Sequence, residues 1–130
     1  MAHWLLKSEP DVYGYDDLVR DGATVWDGVT NALAVKHLRA FAVGDAAFFY
    51  HTGKVKAVVG VAAVTAVALD AAGVPVVTIA PKQVLKAPVT LAAIKADGSF
   101  ADWELVRISR LSVVPVTAEV WAKVLALATA

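Results

Sequence analysis

The sequence contains no cysteine among its 130 residues. This absence excludes disulfides, thiol catalysis and thiolate metal sites, and it is typical of proteins in a reducing compartment. A charge excess is also lacking, because 12 Lys and Arg residues balance 12 Asp and Glu residues. A neutral chain has no broad basic surface of the kind that holds nucleic acid non-specifically. Any nucleic-acid binding would therefore need a local site.

Long apolar runs, linkers and repeats are lacking as well. The longest stretch without a charged residue lies between Lys56 and Asp70, which is too short to span a bilayer. The first residues do not show the basic-then-apolar pattern of a secretion signal, and no Gly-, Ser- or Pro-rich tract divides the chain. We therefore expect one soluble, cytoplasmic domain over residues 1–130, as a monomer or weak dimer without a cofactor.

The composition is 58% hydrophobic, which is enough for a substantial core. Residues 57–69 are apolar except for Thr65 and rich in β-branched side chains, so a strand is favoured over a helix. Their small residues fall mainly on one face, which suits a curled sheet. We predict an α+β fold, a compact antiparallel β-barrel with short helices packed around it. The predicted strands are 3–7, 45–52, 57–69, 73–85 (interrupted by Pro81) and 109–116, and the predicted helices are 13–22, 30–44, 90–97 and 117–128.

Polar and aromatic clusters occur where the apolar strands end. If these clusters converge, they form a concave site with an aromatic plate, cations, hydroxyls, an amide and an imidazole. Such a set of groups suits a flat ligand with polar edges, such as a nucleobase, which stacks on an aromatic ring and forms hydrogen bonds along its edge. The candidate ligand- or base-binding residues are Lys7, Ser8, Glu9, Trp26, Asn31, Tyr50, His51, Thr52, Arg110 and Ser112.

Several of these residues have an ordinary structural interpretation beside the functional one. Trp26, followed by Asp-Gly, is expected in a turn, either as a pocket wall or as a loop anchor. Asn31 is a good helix N-cap, and its amide could also read a base edge. His51 is either a satisfied core histidine or a pocket residue at a strand end.

The remaining candidates also have a structural and a functional interpretation each. Lys7 and Arg110 could contact phosphates, or they could be solvated or paired with carboxylates. Glu9 could accept from a base amino group or pair with a lysine or arginine. Ser8 could cap the turn that Pro10 imposes, or face the mouth of the barrel.

Four motifs in the sequence also resemble those of a known protein family. The stretches WLLKSEPDVYGYDDL, VWDGVTN, VGDAAFFYHTG and RLSVVPVTAEVW resemble, in order and rough spacing, the motifs of EVE domains, a family of the PUA-like superfamily. The likeness covers residues 3 to 127. It implies a PUA-like β-barrel and a pocket that reads modified bases, notably modified cytosines, in DNA or RNA.

The motifs differ from the family pattern at several positions near Asn31. Thr30 and Ala32 stand where such domains carry an arginine and an aromatic residue, and Leu33 and Val35 replace a glutamine and an arginine. Thr52 stands where serine is usual, which keeps the hydroxyl. These changes bear on the identity of the ligand more than on the fold.

Two functions from different classes follow. The first is a non-catalytic module that binds nucleic acid and reads a modified, cytosine-type base. The alternative is a small enzyme, or a nucleotide or small-molecule binder, that uses Ser8, Glu9 and His51 in the same pocket. A glycine pattern around a nucleophile, a phosphate-cradling loop and metal-ligand spacing are all lacking in the sequence, so the binding module is favoured.

Overall fold

The computed structural model describes residues 2–26, 29 and 31–129. Within these residues the chain forms six strands and five short helices, and the fold is α+β. In chain order the elements are β1 (His3–Ser8), α1 (Tyr15–Asp21), β2 (Thr24–Trp26), α2 (Ala32–Arg39), β3 (Ala46–His51), β4 (Ala57–Leu69), β5 (Pro75–Thr90), α3 (Leu91–Asp97), α4 (Glu104–Arg107), β6 (Val113–Val116) and α5 (Ala118–Thr129).

The strands form one mixed sheet in the order β2-β5-β4-β3-β1-β6. β1 and β3 are parallel, and the other neighbouring pairs are antiparallel. The rings of Trp26 on β2 and Phe49 on β3 lie 5.6 Å apart, although two strands separate β2 from β3. In a flat sheet these strands would lie about 14 Å apart, so the sheet curls strongly.

The expectation of a compact antiparallel barrel is corrected in two respects. Among the described residues β2 and β6 are the two edges and do not pair with each other, so the curled sheet is not closed. Parallel pairing of β1 with β3 also makes the sheet mixed, because the chain crosses over through α1, β2 and α2 before β3 begins. The barrel description therefore holds only approximately.

The predicted elements correspond in position to the observed ones, but α2 ends at Arg39 instead of residue 44, and β5 continues to Thr90 instead of ending at residue 85. Four further differences concern Pro81, the last strand and two short elements. β5 runs without a break through Pro81, where a register shift between Val61 and Ala62 of β4 accommodates a residue that has no N–H. The last strand begins only at Val113. The short elements β2 and α4 were not predicted, since three or four residues carry too little periodicity to be recognised.

The core lies on both faces of the β1–β3 pair. On one face Trp4 stacks on Phe41 with a centroid distance of 4.5 Å, and its indole Nε1 donates to Asp45 at 3.0 Å. On the other face Phe48 stacks on Trp121 of α5 at 3.8 Å. Burial alone would raise the pKa of Asp45, but hydrogen bonds from Trp4 and two backbone N–H groups lower the pKa below its ordinary value. Asp45 thus joins the starts of β1 and β3.

Helix α1 is fixed against β4 by a contact that only glycine permits. The Tyr15 ring lies directly over Gly60, and a Cβ at Gly60 would be 2.5 Å from that ring. The Tyr15 hydroxyl is within hydrogen-bond distance of the carbonyl oxygens of Val61 (2.8 Å) and Gln83 (3.0 Å). This anchor places the first turn of α1 beside the end of β3, where the candidate site begins.

Candidate nucleic-acid interface

The ends of β1 and β3 lie side by side, with Lys7 opposite Tyr50 and Ser8 opposite His51. Because side chains alternate along a strand, these two pairs point to opposite faces of the sheet. The structure therefore divides the predicted residues between two places. We call the first the aromatic face (Ser8, Tyr15, Trp26, Phe49 and His51), and the second the lysine pocket (Lys7, Tyr50, Lys56, Lys95 and Ser109).

The aromatic face is built from rings in edge-to-face contact. Trp26 meets Phe49 at 5.6 Å with an interplanar angle of 79°, and Phe49 meets His51 at 5.7 Å and 83°. Trp26 is half-buried and is the last residue of β2, not part of a turn as expected. Its motif neighbours Asp27, Gly28 and Thr30 lie outside the described residues.

The imidazole of His51 has a defined role in this face. Its Nε2 accepts a hydrogen bond from the Tyr15 backbone N–H at 3.1 Å. Burial lowers the pKa of His51, and the nearby Asp16 carboxylate opposes that shift. The ring is therefore neutral at physiological pH, with its proton on Nδ1, so that it can donate to a ligand from Nδ1.

Ser8 is also engaged. Its hydroxyl donates to the Tyr13 carbonyl oxygen, which closes the turn that Pro10 introduces. Ser8 and His51 face each other across the parallel pair, but no hydrogen bond joins their side chains among the described residues. The hydroxyl and the imidazole therefore do not form a nucleophile–base pair.

Asn31 is confirmed as an N-cap. Its Oδ1 accepts from the Ala34 backbone N–H at 3.0 Å, at the start of α2. The residue is exposed. Since capping uses only the oxygen, the side-chain amide Nδ2 keeps its donors for another partner.

The lysine pocket lies on the opposite side of the β1–β3 pair and has a volume of about 250 Å³. The Lys7 ammonium donates to the Ser109 carbonyl at 2.9 Å and lies 5.8 Å from the centre of the Tyr50 ring. Burial lowers the pKa of Lys7. Thr52 also lines this pocket, and its backbone N–H donates to the Ser8 carbonyl at 2.9 Å.

The remaining predicted residues lie near the end of β1 without joining either cluster. Glu9 is exposed and lines a shallow groove that also includes Lys54. Arg110 is exposed in the loop before β6, and the Ser112 carbonyl accepts from the Lys7 backbone N–H at 3.0 Å. Because β6 starts at Val113, Arg110 and Ser112 do not share a strand face as expected. Neither Glu9 nor Arg110 forms an ion pair within the described part of the chain.

Sequence reasoning missed Lys56, Lys95 and Ser109. Lys95 and Ser109 reach the pocket from α3 and from the loop after α4, far from β1 along the chain. No local pattern marks such residues. Lys56 alone had a signal, because it directly precedes the predicted strand 57–69.

No cation or membrane site emerges from the described ranges. In residues 2–26, 29 and 31–129 no group of three or more His, Cys, Asp and Glu side chains is placed to hold a metal ion. In the same residues, none of the helices has the length and apolar character needed to cross a bilayer.

Comparisons with known proteins identify relatives across the whole fold. The family model described as EVE domain matches residues 2–127. Human thymocyte nuclear protein 1 is 40% identical over 62 residues, which are 39% of this chain and only 28% of that protein. The NMR structure of Rpa0253 from Rhodopseudomonas palustris has a TM-score of 0.94 at 43% identity, covering 99% of this chain and 94% of the other. The crystal structure of human THYN1 in complex with DNA containing 5-methylcytosine has a TM-score of 0.90 at 26% identity, covering 100% and 99%.

Proposed function

This chain belongs to the EVE domain family, and we propose that it is a non-catalytic nucleic-acid-binding module that reads a modified, cytosine-type base at the aromatic face. The observation that carries the proposal is the half-buried Trp26, held edge-on by Phe49 next to His51. The similarity to a relative whose structure contains 5-methylcytosine DNA supports the choice of ligand.

In this proposal a base leaves its strand and stacks on Trp26. Stacking of a base on an aromatic side chain contributes about 1–3 kcal/mol. The Nδ1–H of His51 and the amide Nδ2 of Asn31 are donors, which match the ring nitrogen and carbonyl acceptors of cytosine. The Ser8 oxygen can accept only, because its hydrogen is committed to Tyr13, so it suits the exocyclic amino group of cytosine.

Five of the other six predicted residues are assigned to the sugar–phosphate backbone of the bound nucleic acid. Lys7, Tyr50 and Thr52 lie on the lysine-pocket side, and Arg110 and Ser112 lie in the loop beside Lys7. We assign phosphate and sugar contacts to this group. Few cations are involved in a neutral chain, so the dependence of affinity on salt concentration is expected to be shallow.

The enzyme alternative is not favoured by the geometry. It required Ser8 as nucleophile and His51 as base, but the Ser8 hydroxyl donates to a backbone carbonyl and the His51 Nε2 lone pair is occupied by Tyr15 N–H. Both groups would have to break a hydrogen bond before they could act together.

The test is a titration with short single-stranded DNA and RNA oligonucleotides, with and without 5-methylcytosine, followed by fluorescence anisotropy of a labelled strand. We expect the modified strand to bind more tightly. Trp26→Ala should weaken binding by about 5- to 150-fold, as expected for the loss of one stacked base.

Val25→Ala is the matched control, because Val25 precedes Trp26 on β2 and is 50% exposed. It should leave the affinity unchanged. Equal binding of modified and unmodified strands, or full affinity in Trp26→Ala, would contradict base reading at the aromatic face.

A further inference from the structure

The lysine pocket concentrates positive charge in a protein with no net charge. Lys7, Lys56 and Lys95 all line it, and none of its lining residues is acidic. None of the three ammonium groups forms an ion pair with a carboxylate among the described residues. Three neighbouring cations without a counter-charge repel one another, so this arrangement favours an anionic ligand.

Lys7 is the innermost of these cations. Its ammonium uses one of three donors, on the Ser109 carbonyl, and has the Tyr50 ring as its other neighbour. Apolar side chains, including Leu91 and Leu105, form part of the wall around it. A half-buried charge with so few partners is poorly solvated, and an anion would supply the missing acceptors.

Lys56 at the pocket has a backbone conformation that is strained for any residue with a Cβ. Its φ is 46°, and among the described residues it is the only non-glycine residue with a positive φ. Its carbonyl accepts from the Leu91 backbone N–H at 2.8 Å, which ties this turn to the start of α3. Glycine would adopt this backbone without strain. A strained lysine next to a cationic pocket indicates that its side chain is used.

We propose that the lysine pocket binds a terminal phosphate monoester, held by Lys7, Lys56 and Lys95. A monoester carries about two negative charges at neutral pH, which matches three lysines better than the single charge of an internal phosphodiester. The group can come from the end of a nucleic-acid strand or from a free nucleotide. The strand source rests on the proposed function, in which the protein binds nucleic acid. The free-nucleotide source does not, because the pocket lies on the opposite face of the sheet from Trp26.

The experiment compares oligonucleotides of one sequence that carry a 5′-phosphate, a 3′-phosphate or only hydroxyl ends, each with an internal label for anisotropy. A terminal phosphate should tighten binding at least about tenfold, as charge-assisted hydrogen bonds do. Direct titration with a nucleoside monophosphate then separates the two sources, since a free-nucleotide site binds it as tightly as the phosphorylated strand, whereas a strand-end site binds it at least about tenfold more weakly.

Two variants and one control locate the effect. Lys56→Gly and Lys95→Gln should each remove most of the preference for the phosphorylated end. Lys56→Gly should also leave the unfolding midpoint unchanged or raise it, since the backbone strain is relieved. Lys86→Gln, an exposed lysine of β5 that does not line the pocket, should change nothing.

Equal binding of phosphorylated and hydroxyl ends would overturn the proposal, as would a Lys56→Gly variant that keeps the preference. Failure of the proposed base recognition would give a different result from either of these outcomes. In that case the preference for 5-methylcytosine is absent while the phosphate preference persists. Trp26→Ala should accordingly retain the phosphate preference, because it leaves the lysine pocket intact.

Discussion

The two faces at the end of the β1–β3 pair satisfy their polar groups in opposite ways. On the aromatic face Ser8, Tyr15 and His51 each form a hydrogen bond to the backbone. In the lysine pocket, the bond from Lys7 to Ser109 is the only one that an ammonium group forms to the backbone among the described residues. Groups that are already paired are held in place, and they recognise a ligand by shape and direction. Unpaired cations instead attract a ligand through their charge.

The two faces also depend on the fold differently. The aromatic face depends on α1, which Tyr15 anchors over Gly60. The lysine pocket is assembled from the end of β1, the turn before β4, helix α3 and the loop after α4. Damage to the α1 anchor should therefore affect base recognition first, and leave the cationic pocket largely intact.

Gly60→Ala is expected to have the largest effect on stability. The new Cβ would meet the Tyr15 ring at 2.5 Å, and the ring cannot move without losing its hydroxyl contacts. Overpacking of this kind destabilises a protein by about 1–3 kcal/mol. Urea unfolding followed by circular dichroism measures the change, and the folded variant should lose base discrimination while it keeps phosphate binding.

Gly14→Ala is the matched control in the same region. A Cβ at Gly14 would meet its nearest atoms at 3.5 Å or more, and its φ of −96° suits any residue. Its unfolding free energy should fall by less than about 1 kcal/mol, because Gly14 is the N-cap of α1 and alanine is less favourable than glycine there. If both glycine variants are equally stable, close packing over Gly60 does not anchor α1.

Tyr15→Phe should have a smaller effect, because it removes only the hydroxyl. The carbonyl oxygens of Val61 and Gln83 then lose a partner inside the curled sheet. A loss of about 1 kcal/mol of unfolding free energy is expected. Tyr13→Phe removes an exposed hydroxyl that donates to Asp21, and it should cost a few tenths of that value at most. Equal losses in the two variants would mean that the buried hydroxyl adds nothing to the anchor.

The local secondary structure could be predicted from the sequence. β4 has the predicted bounds, and the cap at Asn31 forms as expected. Thr90 and Thr117 cap their helices in the same way, because each of these caps depends on residues three positions apart. The parallel pairing of β1 with β3 was not accessible. A pattern of apolar residues indicates that a strand exists, but it does not specify which strand it pairs with or whether the pairing is parallel.

The candidate site shows the same limit. The strand-end clusters were correctly placed at the ends of β1 and β3, but alternation within this parallel pair sends Lys7 and Ser8 to opposite faces. The bond from Lys7 to Ser109 joins residues separated by 102 positions. No local signal could predict that contact. The binding roles of the ten predicted residues stay predictions until ligand titrations test them.

The smallest expected effect is the pH dependence that His51 confers. Burial lowers its pKa in the folded protein below the ordinary value of 6.5, so between those two values the unfolded chain binds more protons. The free energy of unfolding should therefore be constant above about pH 7.5 and fall as the pH drops through 6.5. Protonation of Nε2 also removes the acceptor for Tyr15 N–H. His37 has its pKa lowered by burial too, and it contributes with the same sign.

Urea unfolding between pH 8 and 5.5 separates the two histidines. His51→Gln should flatten part of the pH dependence, and His37→Gln should flatten the rest. Base binding at the aromatic face should weaken over the same pH range as the stability, because a protonated His51 cannot keep both its backbone hydrogen bond and its orientation beside Phe49. Phosphate binding in the lysine pocket should not follow the His51 titration. If base recognition and phosphate binding weaken together in wild type and not in His51→Gln, the two faces act as one site and the comparison between them fails.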